Sequence, residues 1–332
     1  MQADPDLLQP IRARSGTGRC EIPAIQFLDA AEVSARLPWP NVIDALERAL
    51  PVAFRSGGLV DRFSIRAVGG ELLIMPAADE NTVGVKLAGV GSENNRYGLP
   101  RIQALYVVFD ARNMSPLAVL DGTSLTTIRT AGQSAMIVRR LAAPGARQLV
   151  VFGSGPQARA HIEAVCVVRP IEKVRVIGRR PEPVALLAAE LSSDRLDVRA
   201  GTADDVMTAG VVVCATTSQT PVFDGTKLNE QALVVAIGSH TPDARELDDA
   251  VFSRASTVLV EHRETALREA GDIIQALKAT SLRPEQIMDF GDLAAGRLDA
   301  TTGISVYKSV GMGYQDLAVV GQALRTTPAT TA

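Results

Sequence analysis

The segment LVVFGSGPQARAH, residues 149–161, constrains the fold more than any other part of the chain. Two glycines join an apolar run directly to a stretch with helical spacing. In such a turn Gly153 permits the sharp change of direction, Gly155 lets the backbone approach a pyrophosphate, and Ala158 permits close packing of helix on strand. Free N–H groups at the helix start bind phosphate oxygens. The segment therefore predicts a dinucleotide-binding loop, with the candidate residues Gly153, Ser154, Gly155, Gln157 and Ala158.

The surrounding sequence predicts an α/β fold with a Rossmann-like, doubly wound parallel sheet. From Pro144 onward, short Val/Ile runs alternate with helical stretches, which is typical of βα units. The six predicted strands are 148–152, 173–177, 196–200, 211–216, 232–238 and 257–260.

The part of the chain before Pro144 has a different order of predicted elements. After an amphipathic helix predicted at 41–54, strand-like runs follow one another with no long helix between them, which predicts a separate α+β domain. The predicted strands there are 61–68, 71–75, 82–89, 104–110 and 117–120.

Composition limits the classes of partner. The 332 residues are 46% hydrophobic and 21% charged, which is typical of a globular protein and excludes a disordered or collagen-like chain. A net charge of −3 gives no electrostatic reason to expect nucleic acid or an anionic membrane as the main partner. The three cysteines lack metal-ligand spacing, and no apolar run approaches the ~18 residues of a membrane span. We therefore expect a cytoplasmic protein with a small-molecule ligand and no metal.

The end of the second predicted Rossmann strand bears on the choice of cofactor. An NAD-selective site usually has an acidic residue there, but the strand VRVIG runs into Arg179 and Arg180. Two guanidiniums suit a 2′-phosphate, so NADP(H) is predicted as the preferred cofactor and NAD(H) as a second one. A solvated basic turn is the alternative interpretation. Because ligands bind at the carboxyl edge of such sheets, the ends of the fourth and fifth strands add the candidates Thr216, Thr217, Gly238 and Ser239.

Further motifs occur in a fixed order and together resemble the ornithine cyclodeaminase/μ-crystallin family from about residue 22 to 324. They are LLIMPA (72–77), GVKL (84–87), GLP..QALYVVFD (98–110), PLAVLDGTSLTTIRTAGQSA (116–135), RELD (245–248), LREAGD (267–272) and YKSVG (307–311). The resemblance implies a homodimer with chemistry at the Cα–N bond of an amino acid. It also implies a substrate-binding and dimerisation domain (21–128 with 309–326) and a Rossmann domain (129–308). Residues 1–20 lack periodicity, and we expect them to form a flexible arm.

The resemblance also implies a site for the substrate carboxylate at Arg62, Lys86 and Arg129. A carboxylate that enters a partly dry site needs such cations to offset its desolvation. Lys86 is in addition a candidate catalytic residue that polarises an imine or passes a proton. Each cation also has an ordinary alternative, as a strand-edge charge, a snorkelling lysine or a surface residue of a helix. The predicted cofactor-binding residues are completed by Thr130 and Lys308.

The chain departs from the cyclodeaminase pattern at three positions. His240 stands where cyclodeaminases have a catalytic aspartate, Leu73 replaces an acidic residue and Arg101 replaces a threonine. The replacements at Leu73 and Arg101 remove polar contacts to an ornithine-like substrate, and the one at His240 removes the carboxylate that would help activate its amine. His240 is then a candidate catalytic acid, with capping of a loop backbone as the alternative.

The leading hypothesis is an NAD(P)H-dependent ketimine reductase. Its substrates would be Δ1-pyrroline-2-carboxylate or Δ1-piperideine-2-carboxylate, reduced to L-proline or L-pipecolate. An ornithine cyclodeaminase and an alanine-type amino-acid dehydrogenase are the alternative enzymes. A non-catalytic, NADP-dependent small-molecule-binding protein like μ-crystallin is the alternative from another class.

Overall fold

The computed structural model of the protein describes residues 25–55, 59–91, 93–298 and 302–326. The predicted arm, residues 1–20, lies outside them. The chain divides into two compact units. The first comprises the described parts of Met1–Ala45, Arg55–Arg129 and Met312–Ala332, and the second comprises Leu46–Phe54 and the described parts of Thr130–Gly311.

Strands and helices are numbered in chain order. The strands are β1 (Gln26–Leu28), β2 (Phe63–Ala67), β3 (Gly70–Ala78), β4 (Thr82–Val90), β5 (Ile102–Asp110), β6 (Pro116–Asp121), β7 (Gln148–Phe152), β8 (Lys173–Ile177), β9 (Asp197–Ala200), β10 (Val211–Cys214), β11 (Leu233–Ala236), β12 (Ala255–Val260), β13 (Ile287–Met288) and β14 (Ile304–Lys308). The α-helices are α1 (Ala30–Arg36), α2 (Trp39–Arg55), α3 (Gly122–Leu141), α4 (Pro156–Val168), α5 (Pro181–Leu191), α6 (Asp249–Arg254), α7 (Arg263–Glu269), α8 (Gly271–Lys278), α9 (Phe290–Ala294) and α10 (Gly313–Arg325).

The first unit is built on a six-stranded sheet in the order β1-β6-β5-β4-β3-β2, antiparallel except for the parallel β1–β6 pair. Along β4 the residues alternate between buried and half-buried, so one face of the sheet forms the core. Helix α10 lies against β3 and β4. A Cβ at Gly313, the first residue of α10, would lie 2.5 Å from the carbonyl oxygen of Pro76, so this close approach requires glycine.

The opposite face of this sheet is also apolar. Leu105 pairs with Leu87, Leu87 with Ile74 and Ile74 with Phe63, so the four side chains form a row across one face. Leu105 and Phe63 are 46% and 55% exposed within the chain. The sheet therefore carries a broad apolar surface that this unit does not cover. We call the face that contains this row the outer sheet face.

The second unit is built on an all-parallel sheet in the order β13-β12-β14-β11-β10-β7-β8-β9. The α/β, Rossmann-like fold predicted from the sequence is confirmed, but the described residues form eight strands of this sheet and not six. The prediction missed β13 and β14. Strand β14 lies between β11 and β12 with all five residues buried, but Ser305 and Lys308 interrupt the kind of apolar run that identified β10 and β11.

The predicted domain boundaries differ from those of the two units. Residues 46–54 and 309–311, predicted in the first domain, group with the second unit, and Arg129 groups with the first. Within the second unit Glu47 accepts a 2.9 Å hydrogen bond from Arg139 and pairs with Arg140, and the rings of Phe54 and Phe290 meet edge to face at 6.2 Å. No helix in the described part of the chain is long and apolar enough to cross a membrane.

Candidate active site

The turn after β7 has the geometry that its glycines predict. Gly153 has a φ of 117°, which disfavours other residues, and a Cβ there would lie 2.4 Å from the carbonyl oxygen of Ala215 after β10. Ala158 is fully buried within α4, as expected where the third glycine of the motif permits close packing.

Gly155 is the N-cap of α4, and Pro156 occupies the first turn. A Cβ at Gly155 would meet no described atom within 4 Å. The helix start therefore opens onto free space, where its unpaired N–H groups and its dipole favour a phosphate.

This space is a cavity of ≈ 830 Å³ in the second unit. Strands β8 and β10 lie on either side of β7, so the cavity lies where the strand order reverses, the usual position of dinucleotides in open α/β sheets. Its lining comprises Phe152, Gly153, Ser154, Gly155, Ile177, Gly178, Arg179, Arg180, Ala215, Thr216, Thr217, Ser218 and Val222.

The structure thus brings the predicted residues Gly153, Ser154, Gly155, Arg179, Arg180, Thr216 and Thr217 together. Gln157, Ala158, Thr130, Gly238, Ser239 and Lys308 do not line the cavity. Thr130, Ser239 and Lys308 are buried, and His240 in the loop after β11 is half-buried.

A buried carboxylate that the sequence analysis missed holds the loops after β10 and β11. Glu246 accepts hydrogen bonds from the N–H of Thr216 at 2.8 Å, from its hydroxyl at 2.7 Å and from the N–H of Gly238 at 2.7 Å. Burial raises the pKa of Glu246, and the Lys308 ammonium counteracts that shift. Glu246 therefore fixes two candidate cofactor-binding positions through their backbone.

The ammonium group of Lys308 is bound by other groups of the protein. Its Nζ lies 3.0 Å from Oδ2 of Asp272 and donates to the carbonyl oxygen of Ser239 at 2.6 Å. The lysine is 1% exposed. Direct contact of Lys308 with a cofactor stays a prediction, whereas its support of the Ser239 backbone is observed.

The first unit contains a second charged cluster, formed by Lys86, Arg129 and Asp316. Nζ of Lys86 donates to both carboxylate oxygens of Asp316 at 2.8 and 3.0 Å. Nε of Arg129 lies 3.3 Å from Oδ1 of Asp316, and Nη1 donates to Oε1 of Gln315 at 2.7 Å. All of these side chains are buried. Two predicted substrate-binding cations therefore meet at one carboxylate.

The environment of Lys86 lowers its pKa from 10.5 to about 8. Burial is the main cause and the charge of Arg129 is the next, while Asp316 acts in the opposite direction. The charge of Arg62 also lowers this pKa, which places that third predicted cation near the cluster. Arg62 precedes β2 and is not within it, contrary to the predicted strand 61–68.

Gln315 and Asp316 were not predicted as site residues. Their only signal in the sequence is a polar pair inside the apolar helix YQDLAVV, and this pattern alone does not distinguish an inward pair from an exposed one. Both side chains are fully buried.

The parallel sheet, the glycine turn and the cavity define a Rossmann-type dinucleotide-binding protein. The chain belongs to the ornithine cyclodeaminase/mu-crystallin family, whose sequence profile matches residues 26–325.

Several known proteins resemble the chain over about nine tenths of its length. It is 31% identical over 298 residues to the Delta(1)-pyrroline-2-carboxylate/Delta(1)-piperideine-2-carboxylate reductase of Azospirillum brasilense, covering 89% of this chain and 93% of that protein. It is 32% identical over 303 residues to the ketimine reductase mu-crystallin of Mus musculus, covering 88% and 94%. The solved structure of Thermococcus litoralis Delta(1)-pyrroline-2-carboxylate reductase with NADH and L-proline superposes with a TM-score of 0.85 at 27% identity, covering 90% and 96%.

The two glycines of the turn should respond differently to substitution. Gly155→Ala should fold normally, because its φ of −90° suits alanine, but its methyl group should enter the phosphate space and raise the Kd for NADPH by about tenfold or more. Gly153→Ala should destabilise the fold by about 1–3 kcal/mol because of its positive φ and the approach to Ala215. Fluorescence titration and thermal melting measure the two effects. Unchanged NADPH affinity in Gly155→Ala would contradict the assigned site.

Proposed function

We propose that this protein is an NAD(P)H-dependent reductase of cyclic imino acids, converting Δ1-pyrroline-2-carboxylate and Δ1-piperideine-2-carboxylate to L-proline and L-pipecolate. The observation that carries the proposal is the buried cluster of Lys86 and Arg129 at Asp316, in a chain that also has a dinucleotide cavity. Relatives named for reduction of these imines support the choice of substrate.

The charges of the cluster suit one further carboxylate. Two buried cations share a single anion, so the cluster retains about one positive charge while Lys86 is protonated. An unbalanced buried charge is costly, and a substrate carboxylate would offset that cost. Arg62 nearby adds a third cation. The cluster therefore favours a small anion with a planar carboxylate, as in an α-imino acid.

The chain's own residues would then orient and protonate the substrate. When bound, the reduced nicotinamide supplies a hydride. Arg129 and Lys86 would hold the carboxylate, and Lys86 has a pKa of about 8, so at neutral pH its ammonium is mostly charged and is still able to release a proton. His240 remains a candidate acid whose role is a prediction.

The proposal is tested by following NADPH oxidation with the five- and six-membered imines. Lys86→Ala and Arg129→Ala should each lower kcat/KM by about 10²-fold, because each removes one cation that would bind the substrate carboxylate in a buried site. The exposed Lys173→Ala, at the first residue of β8, serves as the control and should retain the wild-type rate. Ammonia release from L-ornithine at a rate comparable to imine reduction would favour the cyclodeaminase alternative, and no turnover of any substrate would favour a binding protein.

We also propose that NADPH is preferred over NADH. Arg179 and Arg180 line the cavity after β8, where a 2′-phosphate would require cations. Replacing both by alanine should raise the Kd for NADPH about 10- to 100-fold and leave that for NADH nearly unchanged. Arg195→Ala, an exposed arginine outside the cavity lining, is the matched control. Equal wild-type affinity for both cofactors would refute the preference.

Finally, we propose a homodimer formed through the outer sheet face. Large exposed apolar surfaces commonly mark protein interfaces, and this face carries the row from Phe63 to Leu105. Leu105→Glu should yield a folded monomer by light scattering with unchanged circular dichroism. Leu186→Glu, at a 61% exposed leucine of α5, should leave the dimer intact. A monomeric wild-type protein at micromolar concentration would contradict the proposal.

A further inference from the structure

Asp316 is the one anion that contacts both cations of the cluster within the described residues. We propose that Asp316 is a positioning residue, whose carboxylate keeps Lys86 charged and orients Arg129 so that both cations can receive the substrate carboxylate. This inference rests on the proposed function, because it concerns the same site. Asp316 would act through Lys86 and Arg129 and would not itself contact the substrate.

The contacts of Arg129 support the orienting role. Nη1 donates to Gln315, Nε faces Asp316, and Nη2 donates to none of the described residues. Oε1 of Gln315 is held in turn by the N–H of Met312 at 3.1 Å. The start of α10 therefore holds the guanidinium by a hydrogen bond at Nη1 and by the charge beside Nε, and it leaves the N–H groups of Nη2 for a ligand. Because the guanidinium is planar and rigid, holding Nη1 and Nε also fixes the direction in which Nη2 points.

The charges around Lys86 support the second role. Arg129 on α3 and Arg62 before β2 repel its ammonium, and burial opposes its charge. Tyr106 on β5, directly opposite Lys86, is neutral because burial raises the pKa of its hydroxyl well above 10. Asp316 on α10 is the group that attracts the ammonium.

The expected pH dependence follows from the sign of these effects. Lys86 is protonated below its pKa of about 8 and loses its charge as the pH rises through that value. Removing the charge of Asp316 removes the attraction that favours the charged form of Lys86. Burial and the charges of Arg129 and Arg62, which all disfavour that form, remain. The loss of the Lys86 proton should therefore move to lower pH, by about one unit or more, as expected for removal of an opposite charge in contact.

The experiment titrates Lys86 directly in the full-length protein without substrate. The chain has five lysines, Lys86, Lys173, Lys227, Lys278 and Lys308, so NMR of protein labelled with ¹³C at lysine Cε gives few signals. A Lys86→Arg sample assigns the signal of Lys86. Asp316→Asn keeps the shape of the side chain and removes its charge. Gln315→Ala, the neighbouring buried residue, removes a contact of Arg129 without changing any charge, and serves as the matched control.

The expected result is a titration of Lys86 at lower pH in Asp316→Asn and at the wild-type pH in Gln315→Ala. If Asp316→Asn does not fold, Asp316→Ser leaves space for a water beside the ammonium and takes its place. The alkaline limb of kcat/KM for imine reduction should move by the same amount as the NMR titration. A folded variant at position 316 with an unshifted Lys86 titration would overturn the inference. A wild-type protein that reduces no imine would overturn the proposed function, while the NMR result would still decide whether Asp316 holds the charge of Lys86.

Discussion

Charge pairing inside the protein is the constraint on which both candidate sites depend. A buried charge without a partner costs several kcal/mol, so each buried lysine here lies against a carboxylate. In the first unit Asp316 pairs with Lys86, and in the second unit Asp272 pairs with Lys308. Such pairs contribute little net stability compared with an apolar core. Their main effect is to place charged and polar groups at defined points, which an apolar core cannot do.

The same principle explains how loops are ordered at the carboxyl edge of the parallel sheet. Loop backbone is polar and requires hydrogen-bond partners wherever it is buried. Glu246 accepts such hydrogen bonds from the loops after β10 and β11. Glu261 accepts hydrogen bonds from the loop after β14, from the N–H groups of Val310 at 2.8 Å and Gly311 at 3.1 Å. A carboxylate that accepts hydrogen bonds from several backbone N–H groups holds a loop in one conformation. The dinucleotide cavity is thus bordered by fixed backbone.

The sequence predicted those parts of the structure that depend on local pattern. The glycine turn, the first Rossmann strands and the cations Lys86 and Arg129 each have a signal within a few residues, and the fold class follows from their order. The partners of those cations have no such signal, because Asp316 lies 230 residues beyond Lys86 and a buried aspartate in a helix has the same local pattern as an exposed one. Strand β14 was missed for a related reason, since Ser305 and Lys308 interrupt its apolar run and nothing local shows that they are buried.

The position of β14 has a consequence for how the protein is made. This strand lies near the middle of its sheet, yet it is synthesised after both of the strands between which it lies. Until β14 has been synthesised, β11 and β12 lack the strand that lies between them. Two apolar strand edges then stay open to pairing with other chains. We therefore expect a nascent or prematurely terminated chain that ends before Ile304 to be prone to aggregation.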